Sequence, residues 1–183
     1  EYKYRTILCS KRRNSFMSFK KKFLMFAICV MLAPSVVANA AVYLSPYPDA
    51  VDSGGHLDWD YSTKYYNECV NAQNTWNAYR SGVIRKDTTS IVEDIFIKDF
   101  NQNSTLAGVY YPYDRVIGLN EYHFSRFSIR QKQAVVLHEF GHALGLGENS
   151  NRLAAIMQNE VFHSNTSLHQ DDKDSYDAAA KKY

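Results

Sequence analysis

Apolar positions along this chain follow two rhythms. From Lys64 to Tyr79 the side chains Tyr65, Cys69, Ala72, Trp76 and Tyr79 recur every three to four residues, the spacing of one helical stripe. Cys69 is a core residue of that stripe, and Ser81-Gly82 ends the helix. The run His56-Leu-Asp-Trp-Asp-Tyr61 alternates instead, as a half-buried strand does. Ile91–Phe100 predicts a second strand, with Ile95, Ile97 and Glu93 in register on one face. Leu106–Tyr111 and Arg115–Asn120 predict two more strands, separated by Pro112 and Asp114. Ser128, with Gln131 three positions on, forms a capping box that opens a long helix. That helix runs through Leu137 and ends near Gly145, a residue suited to a left-handed terminus. A last helix is predicted from about Leu168 to Lys182, with Asp171 and Asp172 in its first turn. Asp171, Asp172, Asp174 and Asp177 read as its solvated face. Residues 41–55, with two prolines and Gly54-Gly55, form an irregular lead-in. Strands first, helices last and one helix between early strands describe an α+β layout.

Lys20-Lys21-Lys22, the 11-residue apolar run Phe23–Ala33 and the small residues ending at Ala38-Asn39-Ala40 read as a secretory signal peptide. The run is short for a membrane span, which needs about 20 residues. Residues 1–16 are then upstream sequence, 17–40 the leader, and 41–183 a single domain. The leader changes the charge balance. Residues 1–40 hold 8 of the 21 basic and 1 of the 19 acidic groups. Residues 41–183 therefore carry 13 against 18, a net charge of −5, which excludes a basic nucleic-acid footprint. Cys69 is their only cysteine, so no internal disulfide forms. Export without disulfides points to a Gram-positive bacterial route. No stable membrane association is expected once the leader is cleaved, and the expected state is a monomer. No cysteine-bearing inhibitory segment is expected ahead of the first strand.

The chemistry lies in His138-Glu139-Phe140-Gly141-His142. Two histidines four apart on a helix project from one face and can share one Zn²⁺, while Glu139 beside them can act on water without binding the metal.

His138-Glu-Phe-Gly-His142-Ala-Leu-Gly145-Leu-Gly-Glu148 resembles the metzincin signature H-E-x-x-H-x-x-G-x-x-H, and more narrowly that of matrixins and small secreted bacterial relatives. Ile156-Met157 resembles the family's Met-turn, Asn71–Trp76 its first helix and Glu93–Phe100 its next strand. Leu106–Pro112 resembles its cleft-edge strand, and Leu168–Asp172 opens its last helix. The likeness spans about residues 56–182. It implies a twisted, mostly parallel sheet with an antiparallel edge strand, an active-site helix, a Met-turn with Met157 beneath the metal and a C-terminal helix. It also implies a zinc metalloendopeptidase acting on a peptide or protein. Glu139 would serve as general base, and the backbone of Leu106, Ala107, Gly108, Val109 and Tyr110 would bind substrate as an added strand. Ala107 is also the candidate for carbonyl stabilisation.

Two departures matter. Glu148 stands where the family's third histidine ligand falls. A carboxylate can bind zinc, and His138, His142 and Glu148 then form the expected ligand set, with one more negative charge and a weaker Lewis acid. Glu160, His163 and His169 are the rival third ligands. Gly108 stands where matrixins place a structural-zinc histidine, so one catalytic zinc ion is expected; calcium stays open, since no calcium-loop motif is present. His56, His123, His163 and His169 otherwise read as surface or locally bonded histidines. Two other functions fit the same residues. One is an inactive zinc-binding adhesion or toxin-like module, against which the intact Glu139 argues. The other is a hydrolase of a non-protein substrate, which a closed pocket would favour over a peptide-length cleft.

Overall fold

The structure is a computed structural model that describes residues 41–88, 92–151, 153–159 and 163–183. The upstream stretch 1–16, the leader 17–40 and Glu160 lie outside the described residues.

Strand β1 (Leu57–Ser62) leads into helix α1 (Tyr66–Tyr79) and returns as the short strand β2 (Ile84–Lys86). Then follow β3 (Ile95–Phe100), β4 (Gly108–Tyr111), β5 (Val116–Asn120), the one-turn helix α2 (Glu121–Phe124) and helix α3 (Ile129–Ala143). Helix α4 (Gln170–Ala179) continues into a 3-10 turn at Ala180–Lys182. The five strands lie in the order β2-β1-β3-β5-β4. All neighbours are parallel except β4 and β5, so β4 is an antiparallel edge strand. Parallel neighbours need a crossover connection, and α1 supplies it between β1 and β2.

The inward residues of the strands, Leu57, Trp59, Ile95, Ile97, Ile117 and Leu119, are fully buried. Helices α1 and α3 meet this layer through Cys69, Ala72 and Trp76 on one side and Leu137 and Phe140 on the other. Trp59 and Phe140 pack edge to face at 6.1 Å, and the Trp76 indole donates to the Leu137 carbonyl at 3.2 Å. This contact fixes the middle of α3, where the motif begins.

Strand β3 starts at Ile95, and Glu93 is exposed ahead of it instead of sharing a face with Ile95 and Ile97. Asp94 turns the chain there, exchanging hydrogen bonds with the backbone of Asp58. A second difference concerns α4. Asp171 and Asp172 are buried where a solvated face is predicted, because their carboxylates hold backbone and side-chain donors of the segment before the helix. Strand β2 and helix α2 are too short to leave a periodic signal.

Candidate metal centre

Helix α3 begins on the predicted capping box: Ser128 accepts from the Gln131 N–H at 3.3 Å, and Gln131 accepts from the Ser128 N–H at 3.0 Å. Ten residues on, His138 and His142 sit one turn apart with ring centroids 4.6 Å apart. Each ring has a backbone partner. His138 Nδ1 donates to the Ile156 carbonyl at 2.9 Å, and His142 Nδ1 donates to the Leu146 carbonyl at 3.0 Å. With the protons held at Nδ1, both Nε2 lone pairs are free for a metal.

The helix then stops. Gly145 takes φ +89°, and the Gly145 and Leu146 N–H groups close the last turn on His142 and Gly141. The chain doubles back, and Glu148 Oε1 comes to 3.4 Å from His138 Nε2 and 3.2 Å from His142 Nε2. A tetrahedral zinc ion with bonds of about 2.0–2.1 Å requires donors about 3.3 Å apart. The residues present therefore fit zinc. Electrostatics agree: burial opposes charge on both groups, yet Glu148 and Glu139 raise His138 to about 9, and the two imidazoles pull Glu148 down to about 2. The negative charge that Glu148 and Glu139 bring to the histidines would also favour a cation, which has to displace the proton to bind.

The remaining candidates fall elsewhere. His169 caps α4, its Nδ1 accepting from the Asp171 N–H. His163 lines the cleft with its ring 6.3 Å from that of His138, outside the group of three donors that lie within 4.8 Å of one another. Burial and the neighbouring His138 lower His163 to about 4. His56 bonds the Gly82 carbonyl and His123 the Ser104 carbonyl. A second convergence of carboxylates, Asp52, Asp58 and Asp94, is occupied by Arg85, which grips Asp58 through two bonds of 2.7 and 2.6 Å.

Glu139 is buried beside the histidines and under β4. Burial pushes its carboxyl up, while the two imidazoles and the Tyr110 N–H oppose the shift. A Cβ on Gly108 would lie 2.7 Å from Glu139 Oε1 and 2.6 Å from Val135, so glycine leaves the space that Glu139 occupies. Met157 underlies α3: a Cβ on Gly141 would collide with its Sδ. Asp172 holds the Met-turn by accepting from the Ile156, Met157 and His169 N–H groups at 2.9, 3.2 and 2.7 Å. Burial raises Asp172, against these three donors.

A cleft of about 340 Å³ runs over this centre. Leu106, Ala107, Gly108, Val109 and Tyr110 line one side. The Asn120 N–H donates to the Ala107 carbonyl at 2.9 Å, which gives that carbonyl to the sheet. Antiparallel alternation then turns Val109 toward β5 and the peptide groups of Gly108 and Tyr110 outward. Ser45, Pro46 and Tyr47 of the lead-in, with Gln158, Asn159 and His163, complete the lining. Of these, sequence reasoning raised only His163, as a rival ligand; an irregular segment carries no periodicity that would place it at a site.

Fold and site together define a zinc metallopeptidase of the metzincin type. A sequence model of the matrixin family matches residues 47–179, and the chain belongs to that family. Among solved structures, archaemetzincin from Methanopyrus kandleri superposes with a TM-score of 0.53 at 11% identity, covering 72% of this chain and 99% of its own. Myroilysin superposes with a TM-score of 0.50 at 12% identity, covering 75% and 94%. These likenesses concern the fold. No curated protein matches the chain by sequence.

Proposed function

We propose that the protein is an exported zinc endopeptidase in which His138, His142 and Glu148 hold the metal and Glu139 is the general base. The observation that carries this reading is the spacing of three donors at tetrahedral zinc distances, with a buried carboxylate beside them and an edge strand across the cleft.

His138, His142 and Glu148 would hold a zinc ion, which when bound would supply Lewis acidity toward the scissile carbonyl and lower the pKa of the attacking water. Glu139, whose carboxylate burial makes a stronger base, takes the water proton and delivers it to the leaving amine. The outward peptide groups of Gly108 and the Tyr110 carbonyl bind an extended peptide as one more strand, as exposed sheet edges do. Pro46 and Tyr47 line the cleft with it. A cleft along an edge strand favours a peptide over a compact small molecule.

Casein digestion by the purified chain with zinc, beside Glu139→Ala, tests the reading. Cleavage by the parent alone is expected, with the variant down at least about 10²-fold and zinc still bound. Equal cleavage by both would overturn the role of Glu139. Export rests on the leader read in residues 17–40. Amino-terminal sequencing of the protein recovered from culture medium is expected to begin at Ala41.

A further inference from the structure

We infer that the lead-in around Tyr43–Ser45 is a positioning strap for Glu148, so that the third metal donor is set by a segment over a hundred residues away in sequence. The inference rests on the reading of Glu148 as a zinc ligand. Helix α3 cannot hold Glu148 itself, since its closing bonds end at the Gly145 and Leu146 N–H groups. Beyond that point the backbone bonds to other segments. The Gly147 N–H donates to the Tyr43 carbonyl at 3.0 Å, and the Asn149 N–H donates to the Met157 carbonyl at 2.6 Å. Glu148 thus stands between two tethers, the lead-in on one side and the Met-turn on the other.

The first tether is built as a strand pair. Leu44 bridges Leu146 in antiparallel fashion, and the Ser45 N–H donates to the Gly145 carbonyl at 2.9 Å. The approach is so close that a Cβ on Gly147 would lie 2.6 Å from the Leu44 carbonyl oxygen, a backbone atom with little room to move. Gly147 is therefore required by the strap, and its φ is not in the left-handed region. The strap is anchored at both ends. The Tyr43 N–H donates to Ser175 on α4 at 2.9 Å, and the Ala50 N–H donates to the Ala143 carbonyl at the end of α3 at 2.8 Å. Asn151, just past Glu148, donates to the Tyr43 hydroxyl at 3.0 Å. The Glu148 side chain is 48% exposed, so its position depends on the backbone that carries it.

Zinc dissociation constants measured by chelator competition on the full chain test the strap, with thermal melts of the zinc-free protein alongside. Gly147→Ala removes the space and Ser45→Pro removes one N–H. Each is expected to weaken zinc about 10–100-fold, the range for partners that orient a ligand. Ser45→Ala keeps the N–H and is expected to stay within about twofold of the parent. In a Glu148→Ala background, neither strap change should cost further affinity, because coupled residues are not additive. Parental affinity in both strap variants, with Glu148→Ala weakened, would overturn the strap and leave the ligand assignment standing. Equal losses with and without Glu148 would also overturn it, by making the segment a general support of the fold. Parental affinity in Glu148→Ala would remove the ligand reading and the strap's role together. Should Gly147→Ala fail to fold, Ser45→Pro carries the same comparison.

Discussion

Glu148 is the residue that sets this centre apart. As the proposed third ligand it would put a carboxylate where the family has a neutral imidazole, so the donor set would carry one more negative charge and leave a bound metal a weaker Lewis acid. Removing it in Glu148→Ala is expected to weaken zinc by more than about 100-fold, since even outer partners of a ligand account for 10–100-fold; equilibrium competition with a chelator measures this. Gly108 makes the complementary case. Its missing Cβ is space used by Glu139 and Val135. Gly108→Ala is expected to lower activity by displacing Glu139 and to cost about 1–3 kcal/mol through overpacking. Paired kinetics and denaturant melts of the zinc-loaded variant would show both, and a variant matching its parent in both would refute the close approach. The same crowding gives the physical reason to expect no side chain, histidine included, at position 108. Motif residues on α3 were legible in the sequence because a helix fixes which side chains share a face. The Nδ1 partners were not: Ile156 and Leu146 serve through backbone carbonyls, which any residue could provide.

Among the elements, α4 acts as a clamp. Its first turn was readable as an acidic helix start, which the helix dipole favours. The structure adds that Asp172 gathers three backbone N–H groups, two of them in the Met-turn, and that Asp171 receives the Asn149 amide at 3.2 Å. Asp172→Ala would strand these buried donors. A loss of roughly 3 kcal/mol or more is expected, at about 1–3 kcal/mol for each unsatisfied group, read as a lower midpoint in urea unfolding. Asp174→Ala, on the partly exposed part of the same helix, is expected to change stability by no more than about 0.5 kcal/mol. Solvation could not be read from charge here, because four acidic residues look alike until the packing assigns two of them to the interior.

For the whole molecule, the metal and the fold are linked. In the proposed ligand set a zinc ion held by His138, His142 and Glu148 would join α3 to the turn beyond it, a turn that backbone bonds also tie to the lead-in and the Met-turn. A ligand that binds only the folded state stabilises it by mass action. Chelation is therefore expected to lower the melting temperature, and added zinc to restore it, with one zinc ion per chain by elemental analysis. Two ions per chain would contradict the single centre.

The sequence by itself determined the periodic elements, the capping box, the metal motif on one helix face and the family likeness. All of these are local, governed by spacing along one segment. Strand order was not local, nor were the short strand β2 and the burial of Asp171 and Asp172. The convergence of Glu148 with the histidines was readable as an expectation from its place in the family signature, but its anchoring was not. That anchoring comes from backbone bonds to Tyr43 and Met157, one far upstream and one beyond the turn. Backbone donors and acceptors are the same in every residue type except proline, so only the folded chain decides which of them meet.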